Sequence, residues 1–296
     1  MALIPTSFLR TAQLRLTPRS STFTLTRNSF QHSQNYLRTP NLSCRSFHAS
    51  TPTSIKPSHV SKVRNYYGNR GSGQRSGFFG RIWETVDRLD GKKLVYGIIG
   101  LDIAIFGLFQ ISQGVSRFPE TPHVRAWLRD NMTSSIRNIK EGRVWTLVTS
   151  AFAHASMDHL LFNMLGLWMF CPSVAVGLGS AAFLQVYLAG SIGCDIFSLF
   201  WNRNADPRRA SLGASGALCA IMSFTACLAP KSTVLLYGII PMPLWGCVAG
   251  IFLYDLYGSQ RRTGSSSTDF AGHIGGTLTG VGLYLIRHRL GIRRSL

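Results

Sequence analysis

The sequence predicts an all-α membrane protein built on a bundle of six transmembrane helices, and three observations carry that expectation. Six apolar runs of about 16–22 residues follow one another between residues 94 and 286, each near the length that a helix needs to cross a bilayer. Almost no charged residue falls inside them. The connectors hold the turn formers, such as Asn202-Arg203-Asn204-Ala205-Asp206-Pro207, Pro230-Lys231-Ser232 and Gly264-Ser265-Ser266-Ser267.

The runs span residues 94–111, 157–178, 181–201, 211–229, 242–257 and 270–286. Helices are expected because lipid offers no partner to a backbone N–H or C=O, so each group must be satisfied within its own segment. Six such runs within about 190 residues argue against a soluble helical domain. No tandem repeat is visible, which gives an inverted-repeat transporter little support. Between the first two runs lies a mixed polar stretch, roughly 112–156, expected as a loop. In the last run Gly272, Gly276 and Gly280 recur every fourth residue, which puts three glycines on one helix face and lets another backbone come close. The fourth run offers Gly213, Gly216, Ala217 and Ala220 as a small-residue counterpart.

The first 83 residues are of another kind. They hold twelve Lys and Arg and no acid before Glu84, out of a net charge of +19 for the chain. Ser, Thr, Asn and Pro make up nearly half of the rest, which leaves too little apolar surface to fold alone. An Arg-rich, Ser-rich, acid-poor N-terminus is the composition of an organelle transit peptide. A membrane potential that is negative inside draws cations in, and an acid would oppose it. A nucleic-acid-binding arm is the rival, but aromatic residues are not interleaved with the basic ones and no binding fold follows. Arg45-Ser46-Phe47-His48-Ala49-Ser50 resembles the site used by the mitochondrial processing peptidase, with the cut placed near Phe47. The expected organisation is a transit peptide over 1–47, a basic, largely disordered segment over 48–93, the membrane domain over 94–286 and a basic tail over 287–296. Six cysteines, Cys44, Cys171, Cys194, Cys219, Cys227 and Cys247, form no CxxC pair, so neither a zinc site nor a disulfide framework is expected.

Polar side chains within apolar runs are costly and call for a reason. Ser215, in Gly213-Ala214-Ser215-Gly216, stands near a helix start, where free N–H groups and the helix dipole favour a developing oxyanion. The plain alternative is a packing ridge of small residues. His273, in Gly272-His273-Ile274-Gly275, has the near-neutral pKa of a general base, against the alternative of a core histidine. His159 and Asn163 are four residues apart and share one helix face; both can donate to one point. Zinc on these histidines would need further ligands, and HxxxN lacks the Glu of a zinc-protease motif. Asp102, Asp158, Asp195, Asp255 and Asp269 are scattered through this region. Asp269 precedes His273 by four residues and is a candidate triad acid, though a helix-capping role is favoured.

Taken together these clusters, in this order and on these runs, closely resemble the rhomboid family of intramembrane serine proteases over about two-thirds of the chain. That pattern has His and Asn in the second core span, GxSG in the fourth, and His followed by Gly in the sixth. Trp145-Thr146-Leu147-Val148-Thr149-Ser150-Ala151-Phe152 before the His-rich run and Ile240-Pro241-Met242-Pro243, which opens the fifth span, are also family-like. With the transit-like tail, the nearest relatives look like the mitochondrial inner-membrane rhomboids.

The resemblance implies a serine endopeptidase with Ser215 as nucleophile and His273 as base. It implies an oxyanion hole from His159, Asn163 and the Ser215 N–H, a structural role for His154, and no metal or organic cofactor. It further implies a mitochondrial inner-membrane location, transmembrane proteins in the lipid bilayer as substrates, among them a dynamin-like fusion GTPase or a peroxidase precursor, and no nucleic acid. Two departures stand out. Thr146 stands where many members have Arg, with Arg143 nearby, and Cys219 stands where many bacterial members have a Tyr on the catalytic His. A non-proteolytic rhomboid-like binder or chaperone is the alternative function.

Overall fold

The computed structural model describes residues 78–114, 119–236, 239–261 and 268–289. The transit-peptide and cleavage-site expectations lie outside them, as do the larger parts of the basic segment and of the C-terminal tail. The described end of the basic segment, expected to be largely disordered over 48–93, is helical over 78–87 and again from 91. Helix α1 (Phe78–Asp87) leads into α2 (Gly91–Ser112), and Asp90 caps α2 by accepting from the Lys93 N–H. Ser180 Oγ donates to the Leu89 carbonyl at 2.7 Å, so this entry is tied to the membrane domain through its backbone.

The polar stretch expected as a loop is folded. It contains α3 (Pro122–Met132), α4 (Ile136–Lys140), α5 (Thr146–Thr149) and a 3₁₀ turn over Ser150–Phe152. Local chemistry sets these short elements rather than long apolar periodicity. Pro122 sits at the start of α3, where its missing N–H costs nothing, and Ser135 caps α4 by accepting from the Asn138 N–H. Asn138 is buried and donates to the Thr133 carbonyl at 2.8 Å. Arg143 pairs with Glu141 and Asp130, and buried Thr146 donates to the Arg143 carbonyl at 2.7 Å. The Thr146 departure is thus accommodated by a neutral hydrogen bond, with the positive charge three residues earlier.

Six long or apolar helices follow the expected runs: α2, α6 (Met157–Leu178), α7 (Ser180–Trp201), α8 (Ser215–Leu228), α9 (Leu244–Gln260) and α10 (Phe270–Arg289). Among the described residues three of them, α2, α6 and α7, are long and apolar enough to cross a membrane. The fold departs from pure α before α9. Residues 240–243, expected to open the fifth span, instead form β2 (Ile240–Pro243), antiparallel to β1 (Thr233–Leu236), with Leu235 opposite Pro241 and Thr233 opposite Pro243. A two-stranded ribbon tolerates prolines because a strand with a free edge can do without some of its N–H donors.

The core joins α2, α6, α7 and α8 through Val95, Leu167, Phe183, Tyr187, Ile221 and Phe224. Asp102 of α2 is fully buried, so this intramembrane acid points into protein rather than lipid. The seam between α8 and α10 has almost no side chains. A Cβ placed on Gly276 would collide with the Gly216 carbonyl, and one on Gly280 with the Ala220 carbonyl. Ser223 Oγ donates across the seam to the Thr277 carbonyl at 2.9 Å. This is the backbone approach that the glycine spacing predicts.

Candidate active site

Ser215 is the first residue of α8, four residues later than the run that carries it. The preceding residues are held by tertiary bonds instead of helical ones. Ser211 exchanges backbone bonds with Ser134, and the Gly213 N–H donates to the Ser150 carbonyl at 2.9 Å. Gly213 has φ +121°, open to glycine and strained for other residues. A Cβ there would also strike the His159 ring, 2.6 Å from Cε1 and 2.7 Å from Nε2. The turn before Ser215 is therefore bare backbone packed on the His159 imidazole.

His273 reaches Ser215 from α10. Its Nε2 lies 2.8 Å from Ser215 Oγ. Because the α8–α10 seam is closed by glycines, the two backbones approach closely enough for a short side chain and a ring to meet. The other ring nitrogen, Nδ1, lies 3.0 Å from Asp255 Oδ1. Asp255 is buried on α9, and its second oxygen, Oδ2, has no hydrogen-bond partner among the described residues. A chain of polar contacts thus runs through three helices, from α8 through α10 to α9.

Sequence spacing missed Asp255. Its triad candidate was Asp269, which the structure uses otherwise: Asp269 Oδ1 accepts from the Gly272 N–H at 3.0 Å and Oδ2 from Ser211 Oγ at 2.6 Å. Asp269 caps α10, the favoured of its two readings. The signal for Asp255 was present only as an acid inside an apolar run. It lies 18 residues before His273 on another helix, so no periodicity links them.

His159 and Asn163 lie on the first turns of α6. Asn163 is buried, and its Nδ2 donates to the His159 carbonyl at 2.8 Å, which leaves one amide hydrogen for another acceptor. His159 packs edge-on to His154, ring centroids 5.2 Å apart. His154 is buried in the loop before α6. Burial and, secondarily, the neighbouring His159 push its imidazole down to about 4, so it is neutral near pH 7. Cys219 stands one turn after Ser215 in α8, and one ligand atom from each of Cys219, Asp255 and His273 lie within 4.8 Å of one another. A cavity of about 260 Å³ opens beside the loop that precedes Ser215, lined by Ser134, Asn202, Arg209, Ser211, Leu212 and Asp269. Neither Ser215 nor His273 lines it, so it adjoins the serine–histidine pair without containing it.

The arrangement suits acyl transfer: a hydroxyl at a helix start, an imidazole on it, and a buried carboxylate behind the imidazole. Residues 141–290, just over half of the chain, match the rhomboid domain model. The chain is 31% identical over 216 residues to the protein named RHOMBOID-like protein 12, mitochondrial, of Arabidopsis thaliana, covering 68% of this chain and 60% of that one. It is 34% identical over 196 residues to Rhomboid protein 1, mitochondrial, of Saccharomyces cerevisiae, covering 64% and 52%. With Presenilin-associated rhomboid-like protein A, mitochondrial, of Danio rerio the identity is 28% over 195 residues, covering 65% and 47%. The chain thus spans between about half and three-fifths of the length of these relatives. The chain belongs to the rhomboid family, and the members it resembles in these comparisons are mitochondrial ones.

Proposed function

We propose that the chain is an intramembrane serine endopeptidase of the mitochondrial inner membrane that cleaves transmembrane segments of other proteins. One observation carries the reading: the hydrogen-bonded series Ser215 Oγ, His273, Asp255. Asp255 accepts a hydrogen bond from the Nδ1–H of His273, which leaves the Nε2 lone pair facing Ser215. His273 takes the hydroxyl proton as Ser215 Oγ attacks the scissile carbonyl, then passes it to the leaving amine. The tetrahedral oxyanion is received by the Ser215 N–H at the start of α8, by His159 and by the remaining Asn163 amide hydrogen. Each such donor contributes on the order of a hundred- to a thousandfold in rate. Water, activated by His273, releases the acyl group. Asp255 touches no substrate; it is a positioning residue.

All six of the helices from α2 to α10 other than the short connectors cross the bilayer in this reading. α8 has 14 residues, about 21 Å at 1.5 Å per residue, against a hydrocarbon core of about 30 Å. With its C-terminal end at one face, its first residue, Ser215, lies inside the membrane. That depth explains why the substrate is a membrane segment and why the polar turn before Ser215 must be wet. A peptide bond within a helix is shielded, so the substrate must unwind locally, and residues of low helix propensity favour this. Residues 1–47, the first part of the acid-free basic stretch, serve as the mitochondrial leader, removed near Phe47; N-terminal sequencing of the protein from isolated mitochondria should find no Met1, and intact Met1 there would contradict it.

Purified full-length protein with a transmembrane substrate, with and without Ser215→Ala, tests the reading. Cleavage is expected in the native chain and none in the folded variant. Equal cleavage by both would remove the serine mechanism, and binding without cleavage by the native chain would favour a non-proteolytic binder.

A further inference from the structure

We propose that Cys219, Asp255 and His273 form an inhibitory site for a thiophilic divalent cation of the zinc type, in which the metal silences the protease by capturing its base. The three side chains come from α8, α9 and α10, with one ligand atom from each within 4.8 Å of the others. Zinc bonds of about 2.0–2.3 Å to N, O and S place ligand atoms roughly 3.3–3.8 Å apart. The side chains need to close by about an ångström, within the reach of small χ adjustments. A second observation is independent of that clustering. Asp255 Oδ2 is buried without a hydrogen-bond partner among the described residues, which is costly for a carboxylate oxygen, and a cation would satisfy it.

Charge favours the same occupant. A dication held by one thiolate and one carboxylate makes an electrically neutral site, so no net charge is buried. Neutral imidazole supplies the third ligand and water the fourth. The protons balance: the Cys219 S–H bond breaks and its proton leaves to solvent, while the Nδ1 proton of His273 is relocated to Nε2. Bonds from the metal to sulfur, to Nδ1 and to an Asp255 oxygen form, and nothing is oxidised. The consequence is a tautomer switch. In the working enzyme Nδ1 carries the proton and Nε2 accepts from Ser215. With metal on Nδ1, Nε2 carries the proton and can no longer receive one, so the hydroxyl stays unactivated. Cys219 is what makes the site selective for soft metals, because an acid and a histidine alone would hold such an ion weakly.

The inhibition rests on the protease reading, whereas the capture of the ion does not, and the two are measured separately. Cobalt(II) added to the full-length Ser215→Ala protein in detergent should produce a sulfur-to-cobalt charge-transfer absorption. The band should vanish in Cys219→Ala and Cys219→Ser versions and persist with Cys227→Ala. In parallel, zinc should block cleavage by the native chain, a chelator should restore it, and Cys219→Ala should need at least about tenfold more zinc for the same inhibition. No Cys219-dependent band, or equal zinc sensitivity of the native and Cys219→Ala proteins, overturns the proposal. A Cys219-dependent band in a protein that never cleaves supports the metal site and removes the protease reading alone.

Discussion

The two helices that flank α10 are built differently. α8 buries nine of its 14 residues, mostly Gly, Ala and Ser, against which α10 lies backbone to backbone. α9 buries three of 17, Leu244, Cys247 and Asp255, and turns Trp245, Leu253, Tyr254 and Tyr257 outward. Its C-terminal part touches α10 through the Phe270 ring, which packs on Gly258 and Tyr254. Ser215 and His273, proposed here as nucleophile and base, thus sit on the close-packed seam, 2.8 Å apart, while Asp255 sits on the flanking helix that buries fewer of its residues. In such a design the dyad geometry is fixed by the fold, and the orientation of the imidazole follows the seating of α9.

The seam offers the largest effect. Gly276→Val adds three carbons, the first of which would already collide with the Gly216 carbonyl, and overpacking of this kind typically costs about 1–3 kcal/mol or more. The variant should show a lower thermal midpoint in detergent together with loss of cleavage. Unchanged stability would mean that α8 and α10 are not held by backbone contact.

Next comes a series on the three acids and bases around Ser215. His273→Ala should lower the cleavage rate by a factor on the order of 10⁴ or more, about as much as loss of Ser215, since the two act as one unit. Asp255→Asn should cost roughly 10²–10⁴ in rate with substrate affinity retained, and should alter the pH profile, because the amide favours the wrong tautomer of His273. Asp269→Asn keeps an oxygen for the Gly272 N–H and should cost little beyond a capping loss of about 1 kcal/mol or less in stability. If Asp269→Asn is the more damaging of the two, the division between a capping acid and a positioning acid is inverted.

The same contrast explains what the sequence could disclose. The seam was legible because glycine every fourth residue is a local pattern with one geometric meaning, and Gly276 and Gly280 meet the α8 backbone as the spacing requires. The six apolar runs were legible for the same reason. Asp255 was visible as a charge in an apolar run, yet its partner is 18 residues away on another helix, and only tertiary packing relates them. The start of α8 was placed four residues early because Ser211–Ala214 read as apolar and small; their bonds go to Ser134 and Ser150, far away in sequence. Residues 240–243 read as the beginning of a span, although two prolines in four residues equally fit a free-edged strand, and the β1 register decides between them. The segments around α3 to α5 lack an apolar period long enough to register, since caps and buried polar contacts such as Asn138 to Thr133 build them.

In the proposed mechanism Ser215 is a nucleophile activated by His273, and covalent capture is the sharpest test of that pairing. Full-length protein in detergent, treated with a serine-reactive phosphonofluoridate and mapped by mass spectrometry, should carry the adduct on Ser215. Labelling should fall by at least about a hundredfold in His273→Ala, because the hydroxyl is a weak nucleophile without its base. No adduct on Ser215 in folded protein, or one that forms equally fast without His273, would contradict the account.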